Sequence, residues 1–260
     1  MLQPGFYNMD CMDGMREFPD GYFELAIVDP PYGDGFTEGG GCGGWFEKYK
    51  PKQNEGGVLE PIRPEVRPVQ NARHSTNGLR KGQSPPEWWS LCGGNGKKII
   101  TWDVAPDQSY FNELFRVSQN QIIWGGNYFG LPPTRCFLIW RKVNVSQEFS
   151  MAMAEYAWTS FNSNAKVFDA SSNGQSGRFH PTQKPVELYK WILSKYAKPG
   201  DKILDTHVGS ASSLIACHEL GYEYTGFEID EEYYKLATER LEAVKAQTSI
   251  FDQLNIQDYI

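Results

Sequence analysis

The chain has 260 residues, 40% apolar and 22% charged, with a formal net charge of −7. That length holds one sizeable α/β core and argues against two full-sized domains. No apolar run approaches the ~18 residues of a membrane span, the first ten residues lack a secretory pattern, and five scattered cysteines without a C-x-x-C argue against a disulfide scaffold or zinc ribbon and for a reducing cytosol.

Charge is uneven along the chain: −5 over residues 1–33, +3 over 34–98, balanced over 99–180 and −5 over 181–260. The only net-basic part is therefore the segment after residue 33. A basic face on an acidic scaffold can meet a polyanion, although a solvated loop with chance charges would read the same way.

Residues 22–28 form an apolar, β-prone run that stops at Asp29-Pro30-Pro31, as expected of a buried parallel strand ending in a loop. Residues 34–98 show neither helical nor strand period over 50–83, and their Gly and Pro content marks a long-looped insertion. Within it, Ser84-Pro85 reads as a helix start with Trp88 and Trp89 inside. Regular structure resumes with a strand at 98–102, a helix at 107–117, and strands at 121–124, 137–140 and 153–161. Residues 162–177, rich in Asn, Ser and Gly, read as a loop. The last third alternates clearly: helix 185–197, strand 202–204, helix 211–220, strand 222–229, helix 231–246. Such alternation is the pattern of a doubly wound parallel sheet.

Two strand ends carry chemistry, and ligands of open parallel sheets sit beyond such ends. The first runs from Asp205 to Ser213, with Glu228 ending the next strand. An acidic group there suits the hydroxyls of a ribose. From Gly209 the loop reads G-S-A-S-S-L, without the glycines that a pyrophosphate requires. Asp205 would repel phosphate and favour an amine, so a nucleoside bearing an ammonium, S-adenosylmethionine, suits it better than a nicotinamide dinucleotide. A bare strand-helix turn is the alternative. The second end is Asp29-Pro30-Pro31-Tyr32: a carboxylate, a proline carbonyl and an aromatic face that together can hold a planar amino-bearing ring. The plain alternative there is an Asx-Pro turn.

Taken together these motifs resemble the amino-group DNA methyltransferases that carry D-P-P-Y ahead of the cofactor motif, the β arrangement. The matching residues are Asp29 to Tyr32, His180-Pro181-Thr182-Gln183-Lys184-Pro185, Asp205 to Ser213 against D-P-F-x-G-S-G-T, Phe227-Glu228-Ile229-Asp230, and Asn8-Met9-Asp10-Cys11 against an N-terminal G-D-C. The likeness covers 1–33 and 98–246 but not 34–97. It departs at Thr206, His207 and Ala211, where the family has Pro, Phe and Gly. Alanine at 211 is tolerable if φ is negative there.

The resemblance implies an α/β Rossmann-like, S-adenosylmethionine-dependent fold with a seven-stranded, mostly parallel sheet in permuted motif order. Residues 1–33 and 98–260 would form the catalytic domain, and 34–97 a target-recognition insertion. It implies methyl transfer to the exocyclic N6 of an adenine flipped from duplex DNA. Asp29, Pro30, Pro31 and Tyr32 would act at the base. Glu228, with Ile229 and Asp230, would hold the ribose end, and Asp10 and Cys11 the adenine edge. Asp205, Thr206, His207, Gly209 and Ser210 would line the methionine end, where Lys184, Thr182 and Pro185 would meet the carboxylate. Arg63, Arg67, Arg73, His74, Arg80 and Lys81 are the candidate DNA contacts. Cys42, His74 and Cys92 lack ligand spacing, and no metal is expected. A cytoplasmic location in a bacterial or phage-infected cell and a homodimer follow from the family; a cognate restriction endonuclease is compatible with it. Asp before P-P-Y favours adenine over cytosine-N4. A cytosine-N4 enzyme, an RNA methyltransferase, a nucleotide-cofactor oxidoreductase and a non-catalytic DNA-binding relative are the alternatives.

Overall fold

The computed structural model describes residues 1–33, 104–146, 152–172, 179–180 and 182–257, the last ten of these by backbone alone. The expected strand at 98–102, the helix start at 84–85 and all six candidate DNA contacts lie outside the described residues. The chain divides into two compact units, Met1–Pro30 with Pro106–Ile260, and Pro31–Ala105.

The first unit holds an eight-stranded sheet: β1 (Gly5–Asn8), β2 (Phe23–Val28), β3 (Ser118–Trp124), β4 (Phe137–Lys142), β5 (Ala154–Thr159), β6 (Lys166–Ala170), β7 (Lys202–Asp205) and β8 (Glu223–Glu228). Their spatial order is β1-β8-β7-β2-β3-β5-β4-β6. Only β5 runs against the rest. The sheet has one strand more than expected. Two strands, β1 and β6, had no counterpart in the sequence reading. Residues 166–170 sit inside the stretch read as a loop, yet they pair in parallel with β4 at the sheet edge.

Five α-helices accompany the sheet among the described residues: α1 (Cys11–Arg16), α2 (Gln108–Val117), α3 (Val186–Tyr196), α4 (Ser212–Leu220) and α5 (Glu231–Gln257). In β2, Leu25 and Ile27 face one side and Ala26 and Val28 the other, because side chains alternate along a strand. Leu25 and Ile27 pack with Leu188 and Ile192 of α3 and with Cys217 of α4. Ala26 and Val28 pack with Met15 of α1 and with Tyr110, Phe111 and Leu114 of α2. Burial on both faces explains why the run reads as continuously apolar. Asp107 caps α2 by accepting the Ser109 N–H at 2.8 Å, and buried Tyr110, Phe111, Leu114 and Val117 mark its inward face.

Parallel neighbours β2 and β7 mark the place where the topology reverses. From β2 the chain goes on to β3 on one side; from β7 it returns through α4 to β8 on the other. A crevice at the carboxyl ends of such a pair is where doubly wound sheets bind ligands. Asp29 directly follows β2, and Asp205 ends β7. Among the described residues no helix is long and apolar enough to cross a membrane.

Candidate active site

Asp29 and Lys184 are 155 residues apart in sequence, yet the Lys184 ammonium donates to the Asp29 carboxylate. Lys184 is only 2% exposed. It also pairs with Glu155 of β5 at 3.1 Å, and Glu155 pairs with Lys142 of β4 at 2.6 Å. Two cations and two carboxylates thus alternate in a row, Lys184 buried and the other three partly buried. The Lys184 Nζ lies 5.2 Å from the centre of the Trp124 ring, a further favourable contact for a cation. Burial opposes the charge on Lys184, but Asp29 and Glu155 outweigh it and raise the pKa above the ordinary lysine value. Burial likewise opposes the charge on Glu155, and Lys184 and Lys142 outweigh it, so this carboxyl stays below its usual range.

Lys184, expected at a cofactor carboxylate, has its ammonium engaged by two protein carboxylates. Its neighbours in the motif have local tasks. Thr182 is exposed and shares a 3.2 Å hydrogen bond with His180 Nδ1. Pro185 is buried and stands at the N-cap of α3. The His180 ring explains the glycine at 209: a Cβ there would come within 3.3 Å of it, and Gly209 has φ +54°. Gly209→Ala is expected to destabilise the loop by about 1–2 kcal/mol, read as a lowered thermal midpoint; an unchanged midpoint would show that the loop does not need this conformation.

Asp205 is buried and accepts from the Ser213 hydroxyl and, at 3.0 Å, from the His207 N–H. Burial pushes its pKa up to about 7; those two bonds offset the effect only in part, and the charges of Asp29 and Glu228 add to it. Thr206 is buried, and its Oγ1 meets the Tyr110 hydroxyl at 2.6 Å and His207 Nδ1 at 2.9 Å. The His207 ring stands edge-on to Tyr110 at 5.4 Å. Burial lowers the His207 pKa to about 4, against the pull of Asp10, so the imidazole is neutral at pH 7. That suits a packing surface where the family has Phe, and not a proton carrier near neutrality.

Glu228, at the end of β8, accepts the Gly209 N–H at 2.8 Å and the Asp230 N–H at 3.0 Å. A carboxylate has about four acceptor sites, which leaves capacity for ligand hydroxyls. Ile229 is an exposed apolar side chain beside it. Asp10 and Asp230 prove to be helix caps. Asp10 accepts the Met12 N–H of α1 at 2.7 Å. Asp230 accepts the Glu232 and Tyr233 N–H groups of α5 at 2.9 and 3.0 Å. An Asp one residue before a helix is the usual N-cap, so both carboxylates have a local structural use. Burial, with the Asp10 charge second, pushes the Cys11 thiol up to about 12.

Ala211 contradicts the expected negative φ. It sits at φ +60°, the only non-glycine in the left-handed region among the described residues. Pro31 and Tyr32 belong to the second unit. In that unit Gly33 has φ +63°, and a Cβ there would lie 2.9 Å from the Ala105 nitrogen. The residues that the sequence reading missed are Glu155, Lys142, Tyr110 and Arg240. Each is an isolated polar residue of a strand or helix, and only the fold brings it to a motif.

A family model described as DNA methylase, the N6/N4 methyltransferase family, matches residues 45–239. The chain belongs to this family. Its members take their methyl group from S-adenosylmethionine. The chain is 44% identical over 64 residues to the type II methyltransferase M2.DpnII of Streptococcus pneumoniae, covering 25% of this chain and 24% of that protein. It is 39% identical over 64 residues to the type II methyltransferase M.HpaI of Haemophilus parainfluenzae, covering 25% and 20% respectively. The matched stretch thus spans about a quarter of the length of these relatives. A solved structure of an M1.HpyAVI–SAM complex superimposes with a TM-score of 0.47 at 17% identity, covering 92% of this chain and 100% of the other.

Proposed function

We propose that this DNA methylase transfers a methyl group from S-adenosylmethionine to the exocyclic N6 of an adenine flipped out of duplex DNA. The observation that carries the reading is the placement of Asp29 and Asp205 at the ends of adjacent strands, at the reversal of sheet topology. Asp205 also supports the cofactor: it is a buried carboxyl pushed up to about 7, with no cation bonded to it among the described residues. An ammonium or sulfonium would relieve such a site; a phosphate would not. When bound, the cofactor supplies an electrophilic methyl group.

On this reading Glu228 and Ile229 hold the nucleoside, while Asp205, Thr206, Gly209 and Ser210 line the amino-acid end. His207 packs against it as a neutral ring. Asp29 and the Pro30 carbonyl accept the two amino hydrogens of the target base, and Tyr32 offers an aromatic face. Those hydrogen bonds favour a tetrahedral nitrogen and localise a lone pair that the ring otherwise delocalises. The nitrogen forms the new N–C bond as the methyl leaves sulfur, and it loses its proton afterwards. Positioning of this kind lowers a barrier by roughly 7–11 kcal/mol. Extracting the base costs a few kcal/mol, offset by stacking. Residues 34–97 serve target recognition, with Arg63, Arg67, Arg73, His74, Arg80 and Lys81 on phosphates or base edges.

The test is nucleoside analysis by mass spectrometry after incubating the protein with S-adenosylmethionine and mixed-sequence duplex DNA. N6-methyladenine is expected. N4-methylcytosine would overturn the choice of base, and no methylated nucleoside would overturn DNA as the substrate. Asp205 also predicts a pH dependence for cofactor binding. Its acid form predominates below pH 7 and its anion above. A cationic ligand favours the anion, so affinity should rise from pH 6 to pH 8 and level off above. Calorimetric titrations across that range would show it, and a flat profile would remove Asp205 from the site.

A further inference from the structure

Arg240 lies on α5, half-buried, and reaches across to the loop that precedes α4. Its Nη1 donates to the Ser210 carbonyl at 2.7 Å and to Ser212 Oγ at 3.0 Å. These two acceptors bracket Ala211, the left-handed alanine. Two features of this arrangement run against simple expectation. A left-handed conformation is disfavoured for any residue with a Cβ. A cation beside the first turn of a helix opposes the helix dipole, and burial already weakens the hold of Arg240 on its proton. The contact is kept despite both costs.

The surroundings show how. Ala237 and Leu241 of α5 pack in one cluster with Val208, Ala211 and Leu214. The helix is thereby fixed against the loop, and Arg240 meets it at a set height. On the other side, Glu228 takes the Gly209 N–H at 2.8 Å. The Gly209–Ser212 turn is thus held from two elements, by a carboxylate at one end and a guanidinium at the other. With glycine at position 211 the turn would hold its shape unaided; with alanine it needs an external clamp.

We propose that Arg240 is a positioning residue, which holds the Ser210–Ser212 turn in its left-handed form and thereby sets the affinity for S-adenosylmethionine through Ser210 and Ala211. This rests on the reading of residues 205–213 as the cofactor loop. Arg240→Met keeps the apolar stem and removes the donors. By calorimetry its Kd for S-adenosylmethionine should rise about tenfold, the effect of losing one or two charge-assisted hydrogen bonds. Its kcat at saturating cofactor should stay within about twofold, because Arg240 touches no reacting group. The decisive arm is rescue. Ala211→Gly added to Arg240→Met should restore most of the lost affinity, because glycine adopts the left-handed form without help. An unchanged Kd in Arg240→Met overturns the proposal, and so does a loss that Ala211→Gly does not relieve. If instead Glu228→Ala binds the cofactor as tightly as the parent protein, the loop assignment itself fails, independently of the clamp.

Discussion

Replacing Asp29 with asparagine will lower the rate of methyl transfer by about 10³-fold while leaving the cofactor bound. The carboxylate is the group that would accept an amino hydrogen as positive charge develops on nitrogen. An amide keeps the shape and one acceptor oxygen but not the charge. Asparagine is a cleaner replacement than alanine, because Lys184 is buried against Asp29. Alanine would leave that ammonium with Glu155 alone and mix lost stability into lost rate. Single-turnover methylation, measured beside calorimetric cofactor binding, separates the two. A rate within tenfold of the parent would sink the assignment of Asp29. The same variant carries an internal control: the charge on Asp29 is one of the causes that raise Asp205. The pH midpoint of cofactor binding should therefore move downward in Asp29→Asn.

Lys184→Met will cost about 3–5 kcal/mol of stability, the usual penalty for removing one partner of a buried ion pair. For a unit of this size that is a fall in thermal midpoint on the order of 10 °C. The loss comes from taking the Lys184 cation away from Asp29 and Glu155, the latter keeping Lys142, since methionine fills much of the lysine volume. Its pH dependence gives the sign. In the parent protein the depressed Glu155 pKa adds stability above its ordinary value near 4.3, and that stability is lost as pH falls through the folded value. The raised Lys184 pKa adds stability below about pH 10, lost as pH rises through the folded value. In Lys184→Met Glu155 keeps Lys142 but loses its second cation, so its carboxyl is held down less firmly and this stabilisation is smaller than in the parent. The deficit against the parent should therefore shrink as pH falls toward 5. Thermal melts at pH 5 and pH 8 would show this, and equal deficits at both would mean that packing, not charge, sets the penalty.

Much of the fold was legible because burial writes itself into sequence. β2 reads as a continuous apolar run because helices cover both its faces, and the β-α alternation after residue 185 follows from the same layering. Edge strands leave a fainter trace. β6 has only five residues, mostly polar or exposed, between Asn- and Ser-rich stretches, so its pairing with β4 was invisible. At the site, the D-P-P-Y, H-P-T-Q-K-P and Asp205–Ser213 segments were found, but not their wiring. Lys184 was aimed at the ligand because its motif names the residue and not its partner. Glu155 and Lys142 lie on neighbouring antiparallel strands, and no local pattern joins them to Asp29. Asp10 and Asp230 show a use that the motifs do not name: a carboxylate beside a helix start caps it. Ala211 could not be read, because φ at one residue is set by what packs around it.

The adjacency of β2 and β7 also shapes how the protein is made. A hydrogen bond from the Lys202 N–H to the Glu24 carboxylate joins residues 178 positions apart. β2 therefore leaves the ribosome long before β7 exists. At 5–20 residues per second the interval is roughly 9–36 s. For most of it, one edge of β2 has no partner, and the covering helices α3 and α4 have not yet been synthesised. Contacts of such long range slow folding and expose strands to wrong pairing. Asp29 and Lys184, 155 positions apart, can likewise meet only near the end of that wait.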